Sequence, residues 1–157
     1  MDCHDVLARP SFLAMDLREV DISPRVGTRL SGHAGRREVS GAILDPLHAR
    51  VALLQTPHSR QAVVSADLLE LSGETVRDLR RAMAPVLETD EDHILVAATH
   101  THTAPTMKDN VYPAPGPGVM RPSEYSRFLI ERVAQAVVAA WESRSPGGVS
   151  RALGHAV

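Results

Sequence analysis

A strand–helix–strand pattern most constrains the fold that this chain can adopt. The run Gln61–Leu68 (QAVVSADL) has the composition of a β-strand, and His93–Ala98 contains a short apolar run typical of a buried strand. Between them, Ser72 is a suitable N-cap residue for a helix. Apolar side chains then recur at helical spacing, at Val76, Leu79, Met83, Val86 and Leu87. Because a crossover between parallel strands is right-handed, this stretch predicts a βαβ unit and an α/β fold.

Three further patterns complete the predicted sheet and its helices. Leu47–Leu54 is a second β-rich run, and turn residues at 56–60 separate it from Gln61–Leu68, which predicts an antiparallel hairpin. Pro122 opens a second helix, whose apolar stripe is Tyr125, Phe128, Leu129, Val133, Ala136, Val137, Ala140 and Trp141. Short strands are predicted at Arg18–Ile22 and at Val149–Val157. The predicted fold is therefore a mixed sheet with a β-hairpin, a βαβ unit and two main helices.

The chain length fits one domain with an N-terminal extension. Residues 1–16 show no clear period and are predicted to form a flexible arm, and residues 17–157 to form the α/β domain. Pro and Gly dominate residues 113–118, which excludes a helix or a central strand there. We interpret that segment either as a lid over a site or as a passive connector.

Composition excludes several classes of function. The net charge of −2 and the aromatic content of 3% give no basis for nucleic-acid binding. The lone Cys3 excludes a disulfide scaffold. The first twenty residues lack the apolar core of a signal peptide, and no apolar run reaches membrane-spanning length. We therefore expect a cytoplasmic protein, or a secreted one if a leader has been removed.

Two histidines follow the second strand of the βαβ unit. If the extended backbone persists beyond Ala98, the side chains of His100 and His102 point the same way, because strand residues alternate between faces. Two converging imidazoles at a strand end suit a metal ion or a polarised carbonyl group. The alternative is a pair of loop histidines whose hydrogen bonds are satisfied locally.

The segment around these histidines resembles a known signature. Thr99–Pro105 (THTHTAP) is similar to the THTHSGP motif of the neutral/alkaline, non-lysosomal ceramidase family, in its N-terminal domain. Four upstream blocks resemble other motifs of that family, in the same order and at similar spacing: VDISP at 20–24 with Gly27, LSGHAGR at 30–36, GAILDPLHAR at 41–50 and VVSADLL at 63–69. The departures are Thr103–Ala104 for Ser-Gly, and His33 and His48 where an aromatic residue is common. These departures bear on substrate preference.

The resemblance implies a zinc-dependent amide hydrolase that cleaves an N-acyl lipid such as ceramide with metal-activated water. By the match of motifs, His100 corresponds to a Zn²⁺ ligand and His102 to a group near the scissile amide, although the alternation of side chains leaves the reverse order open. The family's other ligands come from later in its sequence, so this chain is expected to be a fragment, a short relative, or half of a site that a partner chain or a homo-oligomer completes. The competing hypothesis is a non-catalytic binding or interaction module.

Two other residues are candidates for the same site. Asp67 lies at the end of a strand predicted to be parallel to the one that ends before His100, so it is predicted to ligate the metal or to orient a ligating histidine. The alternative for Asp67 is a turn or helix-cap role. Arg36 lies with His33 in a Gly-flanked loop and is predicted to bind a substrate oxygen, the alternative being a solvated loop.

Overall fold

The structure is a computed structural model that describes residues 13–33, 36, 38–109, 111 and 116–148. Five strands form the sheet: β1 Leu13–Asp21, β2 His48–Gln55, β3 Arg60–Ala66, β4 Ile94–Ala98 and β5 Ser145–Gly147. The two α-helices are α1 Gly73–Leu87 and α2 Pro122–Ser143. A single 3-10 turn at Glu91–His93 leads into β4.

The five strands form one mixed sheet in the order β4-β3-β2-β1-β5. The strands β2 and β3 pair antiparallel as a hairpin, and β3 pairs parallel with β4 through the crossover helix α1. The outer pairs β1–β2 and β1–β5 are antiparallel. These pairings confirm the α/β class, the hairpin, the βαβ unit and the two main helices.

Both helices begin where the sequence predicts, for identifiable reasons. The Ser72 hydroxyl accepts a hydrogen bond of 3.0 Å from the Thr75 N–H, which is the geometry of an N-cap. At the start of α2, the Glu124 carboxylate accepts the Arg121 N–H at 2.8 Å. Neither α1 nor α2, the only α-helices among the described residues, combines the length and hydropathy that crossing a bilayer requires.

The hydrophobic core lies between one face of the sheet and the two helices. Alternate strand residues are buried on that face, among them Val51, Leu53, Val64 and Ile94. The helices cover them with Leu79 and Met83 from α1 and with Tyr125, Leu129, Val133 and Val137 from α2. In the part of the chain that the structure describes, no helix covers the opposite face, whose side chains are exposed or half-buried.

The first strand and the chain after α2 differ from the prediction. The strand β1 begins at Leu13 and not at Arg18, so residues 13–16 of the predicted arm are paired in the sheet. Those residues pair with β2 on one side and with β5 on the other. Because this pairing is long-range and the four residues show no clear alternation, the local pattern did not indicate it. Residues 1–12 and the predicted strand Val149–Val157 lie outside the described residues.

The Tyr125 hydroxyl is the buried anchor between α2 and the end of β1. It donates a 2.8 Å hydrogen bond to the Ile22 carbonyl, and the residue is fully buried. Burial raises the pKa of Tyr125, so the phenol keeps its proton and remains a donor at neutral pH. At the protein surface, the Arg132 Nε–H donates to the neighbouring Asp21 carbonyl at 3.2 Å.

We expect Tyr125→Phe to lower the free energy of unfolding by about 1–3 kcal/mol, because it leaves the buried Ile22 carbonyl without its donor. Chemical denaturation of the wild type and variant measures this difference. Arg132→Gln is the matched control, since it removes an exposed donor to a carbonyl, and its effect should stay within about 0.5 kcal/mol. Equal losses in the free energy of unfolding for the two variants would show that burial does not increase the contribution of the Tyr125 hydrogen bond to stability.

Candidate functional site

The segment that follows β4 is hydrogen-bonded to the segment that follows its parallel neighbour β3. The Thr99 N–H donates to the Ala66 carbonyl at 2.9 Å, and the N–H groups of His100 and Thr101 donate to the Leu68 carbonyl at 2.9 and 3.2 Å. Each of these bonds links residues about thirty positions apart. The hydrogen bonding between the parallel strands β3 and β4 therefore continues into the turns that follow them. Ligand sites of α/β sheets form at such carboxyl ends of strands.

His100 is held in an unusual backbone conformation with its ring fixed. Its φ of 66° lies in the left-handed region, which costs a non-glycine residue about 1–2 kcal/mol. The ring Nδ1 lies 2.9 Å from the Leu69 carbonyl oxygen. Because a carbonyl only accepts, Nδ1 carries the proton in this bond, and Nε2 of the neutral ring keeps a lone pair. This is how proteins orient a histidine that binds a metal.

Three imidazole rings lie in series at this edge of the sheet. The ring centroids of His100 and His102 are 5.2 Å apart with an interplanar angle of 74°, and those of His33 and His102 are 5.5 Å apart at 87°. All three residues are exposed. The convergence of His100 and His102 agrees with the sequence prediction, but its cause differs. The strand ends at Ala98 and His100 is left-handed, so a bonded turn and not strand alternation brings the rings together.

The loop that carries His33 and Arg36 is bonded to the histidine motif. The Ser31 N–H and hydroxyl donate to the Ala104 carbonyl at 2.9 and 3.1 Å. The Arg36 guanidinium donates to the His102 carbonyl at 3.3 Å and to His33 Nδ1 at 3.0 Å. The structure therefore brings Arg36 to the motif, as the prediction requires, and adds His33 as a neighbour of His102. The role of Arg36 in binding a substrate oxygen stays a prediction.

Gly32 allows the backbone of this loop to come into direct contact with the backbone of His102. Its φ is +99°, and a Cβ at this position would lie 2.7 Å from both Cα and Cβ of His102. Only glycine accommodates both the positive φ and the contact. The Gly-flanked pattern around His33 was the sequence signal for this approach.

Asp67 lies at the predicted strand end, but its carboxylate is bonded to other groups. Oδ2 accepts the His48 N–H at 3.0 Å and lies 3.2 Å from an Arg50 guanidinium nitrogen. Oδ1 accepts the Thr99 hydroxyl at 3.3 Å. Asp67 thus cross-links the ends of β2, β3 and β4. Its predicted role in metal binding is neither required nor tested by this geometry.

The described ranges contain no group of three or more His, Cys, Asp or Glu residues arranged to hold a metal ion. The set His100, His102 and Asp67 is therefore not assembled as a three-ligand centre within them. His48, at the start of β2, is half-buried with its Nε2 3.6 Å from Glu19 Oε1. What the described residues show is a His100 ring held by the Leu69 carbonyl, with the ring of His102 beside it.

An apolar cavity opens beside the motif. Its volume is about 240 Å³, and Thr103, the residue after His102, forms part of its wall. Leu30, Ile43, Leu44 and Leu47 supply much of the apolar lining, and Asp45 and Ser40 add polar groups to it. Of the segment at 113–118 predicted to act as a lid or a connector, residues 113–115 lie outside the described ones.

We expect Gly32→Ala to displace His102 and to destabilise the fold by about 1–3 kcal/mol beyond the cost of the positive φ alone. Gly27→Ala is the matched control, because Gly27 also has a positive φ of +89° but has no atom within 4 Å of the added Cβ. Chemical denaturation and the NMR signals of the His102 ring measure both effects. If Gly27→Ala shifts the ring signals as much as Gly32→Ala, the close approach does not position His102.

No protein-family model and no curated protein sequence matches this chain. Solved structures share its fold, among them two ceramidases. Neutral ceramidase from Pseudomonas aeruginosa superposes with a TM-score of 0.72 at 18% identity, over 88% of this chain and 23% of that chain. A ceramidase complexed with C2 gives a TM-score of 0.70 at 18% identity, over 87% of this chain and 22% of that one. The chain therefore has a ceramidase-like fold and spans less than a quarter of the length of either structure.

Proposed function

We propose that this domain contributes to a zinc-dependent amide hydrolase that cleaves N-acyl lipids of the ceramide type. The observation that carries the proposal is the fixed ring of His100, with Nδ1 bonded to the Leu69 carbonyl and Nε2 left for a ligand. The ring lies at the carboxyl end of a parallel strand, in a fold shared with solved ceramidases. Sequence motif, ring orientation and fold therefore support the same activity.

The donor set fits zinc in kind but not in number. Neutral imidazole nitrogen is a preferred zinc ligand, and a catalytic zinc needs about three protein ligands and an open position. His100 Nε2 would supply one of these ligands. We infer that the remaining ligands come from polypeptide outside the described residues, on the same chain or on a partner. When bound, zinc would supply a water that ionises near neutral pH and a Lewis acid for the amide carbonyl.

The other residues of the cluster would position the substrate. His102, with its ring 5.2 Å from that of His100, would lie beside the scissile amide and exchange a proton or a hydrogen bond with it. The Arg36 guanidinium keeps donors beyond its bonds to the His102 carbonyl and His33, and these would bind a substrate oxygen. Asp67 would hold the strand ends in register through His48, Arg50 and Thr99, and so act on the site indirectly.

The apolar cavity beside Thr103 is where we propose that the acyl chain binds. Its lining by Leu30, Ile43, Leu44 and Leu47 offers a hydrocarbon surface next to the amide position. Burying each methylene group of an acyl chain contributes about 0.8 kcal/mol of binding free energy. The head group would then lie toward His33 and Arg36, and at His33 this sequence departs from the aromatic residue that is common in the ceramidase motif.

A second candidate function is a domain that binds a partner and has no turnover alone. The absence of a three-ligand group among the described residues favours it. The two candidates differ in one respect, which is whether the isolated chain hydrolyses an N-acyl amide in the presence of zinc.

We expect the wild-type protein to bind Zn²⁺ with micromolar or weaker affinity, and His100→Ala to lower that affinity at least about tenfold. Isothermal titration calorimetry measures the binding directly, without any need for activity. His58→Ala is the matched control, because His58 is an exposed residue of the β2–β3 turn, and this variant should bind zinc like the wild type. Equal, near-zero binding by the wild type and His100→Ala would contradict a zinc ligand in this chain.

Hydrolysis of a fluorogenic N-acyl amide separates the two candidate functions. Zinc-dependent turnover that His100→Ala abolishes and His58→Ala preserves would support the amidase. Zinc binding without turnover would support the domain that needs a partner.

We expect Ile43→Ser to weaken binding of a medium-chain N-acyl amide by roughly 3- to 30-fold, because it removes hydrocarbon from the cavity wall. Fluorescence titration with a dansyl-labelled acyl amide measures this effect. Val138→Ser, on the exposed side of α2, should leave the affinity unchanged. Equal affinities for the wild type and Ile43→Ser would exclude this cavity as the acyl site.

A further inference from the structure

The His33 ring offers a hydrogen-bond donor to a ligand. The Arg36 guanidinium lies 3.0 Å from His33 Nδ1. Because a guanidinium has donors only, Nδ1 accepts this bond, and the neutral ring carries its proton on Nε2. This is the opposite tautomer to that of His100, whose Nδ1 donates to the Leu69 carbonyl. Since His33 is exposed, its Nε2–H is a donor that stands next to a permanent positive charge.

The positive charge of Arg36 meets only uncharged partners among the described residues. Its guanidinium donates to the Ser31 and His102 carbonyls at 3.4 and 3.3 Å and to the His33 ring. Arg36 is half-buried, so water screens its charge less than that of a fully exposed arginine. Arginines elsewhere in the described fold form ion pairs with carboxylates, at Arg18, Arg50, Arg60 and Arg81. Within the described ranges, Arg36 therefore has hydrogen bonds but no counter-ion.

The two carboxylates of the segment that follows β3 already have cationic partners. Asp67 Oδ2 lies 3.2 Å from an Arg50 guanidinium nitrogen, and Glu70 Oε1 lies 2.8 Å from Lys108 Nζ. Asp45 belongs to the wall of the cavity in which we propose that the acyl chain binds. The head-group side of the proposed site is therefore positive and rich in hydrogen-bond donors.

We propose that the head group of the substrate carries a carboxylate, so that the substrate is an N-acyl amino acid. This inference rests on the proposed function, which places the scissile amide at His102 and the head group toward His33 and Arg36. The guanidinium would bind the carboxylate through N–H groups that its bonds to the protein do not use, with the His33 Nε2–H as a further donor. The head group of a ceramide carries hydroxyls, which need acceptors as well as donors and gain little from a fixed positive charge.

The departure from the ceramidase motif at His33 agrees with this assignment. Where an aromatic residue is common in that motif, this chain has an imidazole. A Phe ring offers a head group no conventional hydrogen bond, and a Tyr hydroxyl both donates and accepts. His33 only donates, because the Arg36 guanidinium occupies Nδ1. The substitution therefore changes a position suited to apolar or hydroxyl groups into one suited to an anion.

The spacing of the cluster suits a carboxylate one carbon away from the amide nitrogen. The His33 and His102 ring centroids are 5.5 Å apart, and Arg36 is bonded to both residues. In an N-acyl amino acid a single carbon atom separates the amide nitrogen from the carboxylate, so both groups fit within this cluster. In the hydrolysis, the oxygen of water bonds to the acyl carbon, the carbon–nitrogen bond breaks, and the nitrogen takes a proton from that water. The products are a fatty acid and an amino acid.

A matched pair of ligands tests the head group. N-decanoylglycine and N-decanoylglycinamide share the acyl chain and the amide, and they differ in a carboxylate against a neutral carboxamide. We expect the wild type to bind N-decanoylglycine about tenfold more tightly, which is the contribution of hydrogen bonds to a charged group at a partly exposed site. Displacement of the dansyl-labelled acyl amide measures both affinities. Metal-free buffer ensures that zinc does not coordinate the carboxylate.

Two substitutions should lower this preference. Arg36→Gln removes the charge and should reduce the ratio of the two affinities to about two or less, and His33→Phe should reduce the ratio about threefold. Arg36→Lys keeps the charge without the guanidinium geometry and should retain an intermediate ratio. Arg132→Gln, which removes an arginine from the surface of α2, is the matched control and should keep the wild-type ratio. The NMR signals of the His100 and His102 rings verify that the motif keeps its structure in each variant.

The possible results separate this inference from the proposed function. Equal binding of the two ligands by the wild type would overturn the inference and leave the acyl site in place. Binding of neither ligand would overturn the acyl site and the inference together. A preference that Arg36→Gln and His33→Phe leave unchanged would also overturn the inference, because the carboxylate would then bind elsewhere.

Discussion

The candidate site depends on the backbone hydrogen bonds between the segment that follows β4 and the segment that follows β3. Three backbone N–H groups, from Thr99, His100 and Thr101, donate to the carbonyls of Ala66 and Leu68. These bonds hold His100 in a left-handed conformation that would otherwise be unfavourable. The parallel register of β3 and β4 places the donors opposite the acceptors. A change in that register would therefore displace the histidines together with core residues of β3 and β4 such as Val64 and Ile94.

The same constraint determines which chemistry the cluster can support. The Leu69 carbonyl fixes the His100 ring, and the loop at Gly32 comes close enough to contact the backbone of His102. The first support is a backbone carbonyl, which a substitution of the Leu69 side chain leaves in place, whereas the second support requires that residue 32 have no Cβ. The result is a preorganised pair of imidazoles beside an apolar cavity, which is the arrangement on which the proposed zinc site for N-acyl substrates rests.

Local sequence patterns were sufficient to predict the elements that short-range periodicity, caps and turns specify. The hairpin, the Ser72 cap, both helices and the strand before the histidines follow from periodicity and turn chemistry. The start of β1 at Leu13 and the strand β5 depend on long-range pairing, so no local pattern marked them. At the site, proximity of His100 and His102 was predictable, but the left-handed turn that produces it was not. The bonds of Asp67 to Arg50 and Thr99 also depend on register, which the sequence does not encode locally.

The protonation state of the His100 ring tests the central claim most directly. Nitrogen-15 NMR of the imidazoles distinguishes the two neutral tautomers and needs neither metal nor substrate. We expect His100 at neutral pH to carry its proton on Nδ1, with the Leu69 carbonyl as acceptor, and exposed His58 to serve as the reference for an unconstrained ring. A His100 ring protonated on Nε2, or averaged like that of His58, would contradict an oriented ligand at this position.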